Sequence, residues 1–583
     1  MRQNRNRTLS TDQTNDRERR SAMAQSGDKQ VSRRTMLQGT AALAAAGMVG
    51  FPNVRQAAAQ GDTPVEGGSL SLGVSQITSN SHLLHLRHYA GSENIYTRLL
   101  ANARLITLDT DRVTFVGALA ESFEFNEDAT LLTFKLRQGL TWHDGEPFTA
   151  KDVDFTYHMI GVPGVGPAVF LSTFVGTMVG AQEYIDGTAD RISGLTVVDD
   201  FTVSFEIEPD INQWATLSLF NQICIAPDHI LNQYLNRDTG SSILESPWAT
   251  TAEHVGIGPF KVVEYVADQY IRYEPFENYY NGKPLLGEVV YRPYADAVTL
   301  AAALESGEIM VGRLPIGEVE RFEQMSSLSI HSATSPSYQG AIINTRQPHL
   351  ADKRVRQALL YAIDREAMAQ VLYAGKVAVV HSPIEVPGIP ESPTMKKYEY
   401  DPEQAKALLA EAGWDPNQVI YWDVAMVPSD EATLAYYATI NDFWAQVGVK
   451  ADFNVVGQDL SVLWGPDWPF NLYPSAYPIG IPAWVARDLD PRNAVGRSSA
   501  GFDAEGFTDL WDRAKSNLTG DEEIAAIHEL QDVIAEEALA LMIVRSPDIW
   551  GIGNNVHGLT PNYFPNEYDL YDWHLEKVWV DPA

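Results

Sequence analysis

The chain of 583 residues contains one cysteine, Cys224. An intrachain disulfide is therefore impossible and a structural cysteine cluster for zinc is excluded, which leaves packing to hold the fold. Inside Gln222-Ile223-Cys224-Ile225-Ala226 the thiol reads as a small buried apolar group rather than a nucleophile. Long hydrophobic runs are missing too. The mild run from Gly39 to Phe51 is near twelve residues, where a membrane span needs about twenty. Positive charge is scarce, with 42 Lys and Arg against 76 Asp and Glu and a net charge of −34. A polyanion gains no counterion-release energy from phosphates, so nucleic acid and anionic membrane surfaces are excluded as partners.

Motifs of catalysis are lacking as well. No HExxH or Walker-type loop occurs, and Gly496-Arg497-Ser498-Ser499-Ala500-Gly501 has the wrong spacing for a nucleophile elbow. Gly256 and Gly258 are no dinucleotide fingerprint. Position 261 is Lys rather than Gly, and Pro259 leads into a β-rich run, so the glycines make a turn. His82, His85 and His88 have the spacing of one helical face, which fits metal ligands or, more ordinarily, a partly exposed face. No internal repeat, low-complexity tract or Gly/Ser linker follows residue 59, so domains must be joined by short structured crossings.

What is present begins with the stretch from Ala118 to Ile160. Phe123 and Phe125 alternate with polar neighbours, Asn126 to Asp128 turn the chain, and Leu132, Phe134 and Leu136 share one face of a returning strand. Asp144-Gly145 supplies the next turn. Thr149 then caps a helix, answered by Asp152 in a capping box. Strands are also expected at Ser69–Val74, on both sides of Asp199-Asp200, and at Val262–Tyr265, with a helix over Glu93–Leu100. Further on, Val355, Leu359, Ala362 and Ile363 recur at helical spacing, with Arg354 and Arg356 free to reach solvent or an acidic neighbour. Asp401 caps a helix opened by Pro402, buried through Leu408, Leu409 and Ala412, and closed by Gly413. A helix ending at Gly448 feeds the alternating strand Val449, Ala451, Phe453, Val455. That is an α/β unit.

Several of these runs resemble, in order, the motifs of the family 5 solute-binding proteins, the extracytoplasmic receptors of ABC importers for peptides, nickel chelates and some sugars. The resemblance rests on Leu119-Ala120-Glu121-Ser122-Phe123, Phe134-Lys135-Leu136-Arg137, Trp142-His143-Asp144-Gly145 and Pro147-Phe148-Thr149-Ala150-Lys151-Asp152-Val153. It continues through Gly256 to Lys261, Asn278-Tyr279-Tyr280, Lys283-Pro284, Asp352 to Leu359 and Asp401-Pro402 onward. It implies an α/β, two-lobed periplasmic-binding-protein fold (type II) with an additional β-rich subdomain on lobe I. The expected layout places lobe I at 60–105 and 235–335, the subdomain at 106–234, lobe II at 336–540 and a return to lobe I at 541–583. His143, inside the hallmark turn, is read as structural.

The N-terminus resembles a twin-arginine export signal. Ser32-Arg33-Arg34-Thr35-Met36-Leu37 precedes the mild apolar run, and Ala57-Ala58-Ala59 offers small residues for cleavage near Ala59. That leader carries ten Lys/Arg against four Asp/Glu, so its removal leaves 524 residues and a net charge of −40. No cysteine follows the run, which speaks against a lipid anchor. A soluble periplasmic monomer is expected, with the Tat machinery and an inner-membrane ABC permease complex as partners, no enzyme activity, no cofactor and no metal.

Solute contacts implied by the resemblance are Asn80 and His82 after the first strand, Tyr338 at the crossing Ser337-Tyr338-Gln339, and Trp464, Tyr473, Tyr477, Trp484 and Asp490. The stretch from Trp464 to Asp490 mixes these rings with Pro466, Pro469, Pro474, Pro478 and Pro482, which bars a regular helix and favours a stiff loop. Aromatic faces there suit stacking on a ligand, though rings also fill loop-rich cores. Peptide receptors of the family place an Asp in this segment to bind the peptide amino terminus. Here Ile479-Gly480-Ile481 stands at that place, with Asp488 and Asp490 several residues later; either Asp490-Pro491 is the displaced equivalent or the ligand need not carry an α-amino group. A peptide or similar small organic solute is the expected ligand. An oligosaccharide or metal chelate remains the alternative, and an exported hydrolase the more distant one.

Overall fold

The computed structural model describes residues 63–75, 99–109, 114–162, 165, 177–208, 213–236, 242–332, 338–386, 388–424, 431–455, 470–475, 489, 502, 506–516, 518, 520–545, 549–559 and 574–582. The export leader, most of the Glu93–Leu100 helix and the His82, His85, His88 set lie outside them. Two mixed sheets carry the architecture. The first uses β1 (Ser69–Ser75), β2 (Phe260–Val266), β3 (Tyr270–Pro275), β4 (Glu288–Tyr294), β5 (Val311–Arg313) and β6 (Leu328–Ser332). The second uses β7 (Tyr338–Ile343), β8 (Val419–Val424), β9 (Lys450–Val455), β10 (Leu472–Ser475) and β11 (Ala540–Arg545), after which β12 (Ile549–Gly553) rejoins the first. The strand orders are β6-β12-β5-β1-β4-β3-β2 and β9-β8-β10-β7-β11.

The expected α/β class and two-lobed layout are present, and two boundaries move. The sequence reading returned the chain to the first lobe at 541. Instead, Ala540–Arg545 pairs with β7 in the second sheet, so the crossing falls at 546–548. An apolar run cannot reveal which sheet it completes. The β-rich subdomain was expected to end at residue 234, yet its core continues through Ile243, Trp248, Ala249 and Ile257. The helices Asp228–Leu231 and Pro247–Thr250 close that core, and four- to five-residue helices leave no periodic trace in sequence.

Within the subdomain the four-stranded sheet pairs Ala120–Phe125, Leu131–Leu136, Thr202–Glu206 and Leu195–Asp199. Leu132 and Phe134 have no exposed surface and Leu136 keeps 2%. Phe134 meets Phe205 edge-on and Phe220 at a tilt, 5.8 and 5.2 Å between centroids. Thr149 caps the helix Ala150–Ile160 in the capping box anticipated from sequence. Asp152 is buried and also accepts from the Asp228 amide at 3.1 Å, which ties this helix to the helix Asp228–Leu231.

His143 joins the subdomain to the first sheet. Its Nδ1 accepts from the Gly256 amide at 3.2 Å, and its Nε2 donates to the Gly258 carbonyl at 3.0 Å. This fixes a neutral tautomer, and burial lowers its pKa to about 3. His254 is held in the same way: Nδ1 donates to the Trp248 carbonyl, and burial lowers its pKa to about 4. Gly256 and Gly258 serve a close approach, since a Cβ on Gly256 would lie 1.8 Å from the Ala101 carbonyl oxygen.

The second lobe packs the helices Lys353–Tyr361, Arg365–Tyr373, Pro402–Ala412 and Glu431–Gln446 on one face of β7 and β8, and the helices Phe507–Lys515 and Asp521–Glu536 on the other face of β7 and β11. Val355 and Leu359 are buried on the helix Lys353–Tyr361, and Leu408 and Leu409 on the helix Pro402–Ala412, which Asp401 caps and Gly413 ends at φ 70°. Trp422 stacks on Trp444 at 5.3 Å and 8°, and the Trp444 indole donates to the Leu359 carbonyl. Arg354 does pair with Asp352, but Arg356 is buried at 1% exposure. It is satisfied by the carbonyls of Leu350, Ala351 and Glu537, and it meets the Glu537 carboxylate, the acidic neighbour open to it, at 3.4 Å. Arg365 likewise donates to the Val380, Met542 and Tyr398 carbonyls. Such forks let backbone carbonyls satisfy most of a buried guanidinium group, joined at Arg356 by the Glu537 carboxylate. On β9 the alternation survives, but Val455 is 54% exposed because β9 is the edge strand.

Replacement of Gly256 by Ala is expected to cost about 1–3 kcal/mol, the range for overpacking, because the obstructing atom belongs to the backbone. Thermal unfolding of the ligand-free protein reads this, and an unchanged midpoint contradicts the close approach. A pH dependence follows from the two neutral histidines. Unfolded, they titrate near 6.5, so from about pH 6.5 down to about 4 the unfolded chain binds more protons and stability falls with pH. Urea unfolding of wild type should therefore lose more stability between pH 6.5 and 4.5 than a His143→Gln variant. Parallel curves would show that His143 charges freely in the folded state.

Candidate interlobe cleft

Strand directions place the candidate site. In the first sheet β1, β4 and β5 are parallel, and their carboxyl ends, at Ser75, Tyr294 and Arg313, lie at one edge. At that edge β6 ends at Ser332, opposite Ile549, where β12 begins. In the second sheet β8, β9 and β10 run parallel and end at Val424, Val455 and Ser475. Their carboxyl ends meet Tyr338 and Arg545, the first residue of β7 and the last of β11. The chain therefore leaves and re-enters each sheet at paired positions, Ser332 beside Ile549 and Tyr338 beside Arg545, and both sheets have their carboxyl edges at these paired ends. In open α/β sheets this edge is where loops gather and ligands bind.

The expected contacts can be placed against that edge. Asn80 and His82 belong to the segment after β1. Trp464 belongs to the segment after β9, and Tyr477 and Trp484 to the segment after β10. All five, together with Asp490, lie outside the described residues. Tyr338 and Tyr473 are described. Tyr338 sits at the edge but is 2% exposed, with its ring in the core that includes Ile342, Phe507 and Trp511. Tyr473 is half-buried on β10, opposite Ile342, with its ring 6.0 Å from that of Phe470.

The start of β10 is pinned by buried polar groups. Asn344 donates through Nδ2 to the Phe470 carbonyl at 2.8 Å and through its amide to the Asn471 carbonyl at 3.0 Å. His349 Nε2 lies 2.8 Å from Asn471 Oδ1. The Asn471 amide donates to Asp423 Oδ2 and Asn454 Nδ2 to Asp423 Oδ1, each at 2.6 Å. Burial raises the Asp423 pKa, opposed by these hydrogen bonds. Three strands are thus clamped together immediately before Tyr473 and the aromatic segment beyond it. This gives that segment a fixed point of departure.

A second group at the same wall escaped the sequence reading. The Tyr373 hydroxyl donates to Gln339 Oε1, and Tyr436, 4% exposed, has a hydroxyl with no hydrogen-bond partner among the described residues. Burial holds the Tyr436 pKa well above its ordinary value, reinforced by Tyr437, Tyr373 and Tyr338. These tyrosines lie on helices at apolar spacing and therefore read as plain core. The signal that could have found them is position, since Tyr436-Tyr437 stands in the second turn of the helix Glu431–Gln446, which follows the carboxyl end of β8. Among the described residues no group of three or more His, Cys, Asp or Glu is placed to hold a metal ion.

Comparison with known proteins agrees with this geometry. The B. subtilis AppA structure with a nonapeptide superposes with a TM-score of 0.71 at 21% identity, covering 89% of this chain and all of that one. Campylobacter jejuni NikZ with Ni(L-His) gives 0.69 at 17%, covering 88% and 99%. These likenesses concern the fold. In sequence, a Brucella ovis protein named for ABC-transporter peptide binding is 31% identical over 312 residues, 53% of this chain and 54% of its own length. The chain thus spans about half the length of that relative. The Escherichia coli dipeptide-binding protein is 25% identical over 504 residues, 82% of this chain and 88% of its own. The profile of the bacterial extracellular solute-binding proteins, family 5, matches residues 114–505. On that match, the chain belongs to the family 5 bacterial extracellular solute-binding proteins.

Proposed function

We propose that this protein is the periplasmic receptor of an ABC importer, binding a peptide or similar small organic solute between its lobes and delivering it unchanged to an inner-membrane permease. The observation that carries the reading is the pair of carboxyl edges, each holding the paired ends at which the chain leaves and re-enters its sheet. Each lobe supplies one wall, and both walls contact a solute together only when the lobes close, so binding energy drives closure. Relatives named for dipeptide and oligopeptide binding support the peptide class. Export by the twin-arginine route, cleavage near Ala59 and a monomeric state complete the proposal. Among the described residues no helix is long and apolar enough to cross a membrane. The family and fold are those of binding proteins, and we read the chain as having no enzymatic step.

A second reading concerns ligand class. Ile479-Gly480-Ile481 occupies the place where peptide receptors of the family carry an Asp for the peptide amino terminus. Unless Asp490-Pro491 is the displaced equivalent of that Asp, the solute need not carry an α-amino group. A structural relative in complex with agropinic acid, superposing at a TM-score of 0.71, is compatible with that choice.

Native mass spectrometry of protein purified without refolding tests the receptor reading. One small molecule per chain should be released intact on denaturation, and a chemically converted molecule would refute it. The wall residues have their own test, with the released molecule as ligand. Trp464→Ala or Tyr477→Ala should weaken its binding by about 1–3 kcal/mol, the loss of an aromatic anchor, while the ligand-free melting temperature holds. Lost stability with unchanged affinity would assign those rings to the core.

A further inference from the structure

Beside the crossings the lobes touch. Lys376 of the second lobe places Nζ 2.7 Å from Oε1 of Glu323 in the first. Of the ion pairs between described residues, this one joins the two lobes. We propose that Glu323–Lys376, together with Ile316, is a strut that stabilises the lobe arrangement seen here and sets its population in the ligand-free protein. The proposal rests on the hinged-receptor reading and adds a device that acts before any solute arrives.

Each end of the strut is fixed to a strand that feeds a crossing. Glu323 ends the helix Val319–Glu323, whose Val319 and Phe322 share a core with Leu328 and Ile330 of β6. Lys376 lies in the tight turn after the helix Arg365–Tyr373, where Ala374 and Gly375 take φ of 49° and 69° and the Lys376 amide donates to the Tyr373 carbonyl. The chain then runs along the outer side of β11, with the Arg545 amide donating to Ala378 and the Val380 amide to Ile543. Ile316 packs against the hydrophobic cores of both lobes. A rotation about the crossings therefore separates Lys376 from Glu323 and uncovers Ile316 in one movement.

The ion pair is not shared with stronger competitors. Arg321, on the same helix, is already engaged by Glu305 and Glu318. Both partners remain partly exposed, at 39% and 45%, so salt reaches the pair. Anchored backbones reduce the ordering cost that makes most surface pairs worth little. A pair of this kind biases a two-state equilibrium without locking it.

Interlobe distances measured by electron-electron double resonance test the strut. Spin labels go on Val298→Cys in the first lobe and Ala407→Cys in the second, both exposed positions, and the native Cys224 is buried and stays unlabelled. Lys376→Met should lower the population at the main wild-type distance about two- to fivefold relative to other distances, the range for an exposed ion pair. In wild type, 1 M NaCl should reproduce the change, while the Met variant should respond little. The swap Glu323→Lys with Lys376→Glu should restore the wild-type distribution. Distributions identical in wild type and Lys376→Met, or a swap that restores nothing, would overturn the strut. Adding a tripeptide mixture and the molecule recovered from the native protein separates the two readings. If those probes shift the distances while Lys376→Met does not, the strut fails and the hinge stands. If nothing shifts the distances, the hinge fails and the strut with it.

Discussion

Two antiparallel strand pairs, β6 with β12 in the first sheet and β7 with β11 in the second, bring together the points at which the chain passes between the lobes. Ser332 faces Ile549 on one side of the crossings and Tyr338 faces Arg545 on the other. The closure proposed above takes the connections between these paired ends as its axis, a restriction that favours rotation over sliding or twisting. Everything proposed about solute capture depends on that restriction. A single crossing would leave the walls of the cleft unregistered.

Around that line the protein invests polar groups where backbone would otherwise wander. Asp423, Asn454, Asn344, His349 and Asn471 together fix the start of β10, and buried Arg365 gathers three carbonyls from separate segments beneath β11. Such networks are costly unless every donor finds an acceptor, and here the donors do. The first lobe solves a comparable problem with one neutral imidazole. His143 holds the Gly256–Gly258 segment against residues 101 and 102, where no side chain fits. The hallmark turn of the family is thus a joint between subdomain and sheet.

Local elements were legible before the structure because their causes are local. The capping box of Thr149 and Asp152, the Asp401–Pro402 opening with its Gly413 close, and the alternation of Leu132, Phe134 and Leu136 all lie within a few residues of the groups that decide them. The corrections share the opposite character. That Ala540–Arg545 completes the second sheet, that Trp248 and Ile257 belong to the subdomain core, and that Arg356 turns inward to carbonyls depend on partners more than a hundred residues away or on helices too short to show a period. The Tyr338 ring, expected at the wall, is core because β7 presents it to the face covered by Trp511 and Ile534.

The sequence by itself determined the locally coded strands and helices, the impossibility of an intrachain disulfide, the acidic charge balance and the family motifs. Each of these is written in residue type and short spacing, which are properties of the chain before it folds. Only the tertiary structure decided which strands share a sheet and which ends of them meet at the crossings. It also decided which of the expected aromatic rings, Tyr338 but not Tyr473, goes fully inside. Those outcomes turn on pairing between distant segments. Alternation along a strand says that one face is buried but cannot say against what, so the cleft and its strut became visible only once both sheets were in place.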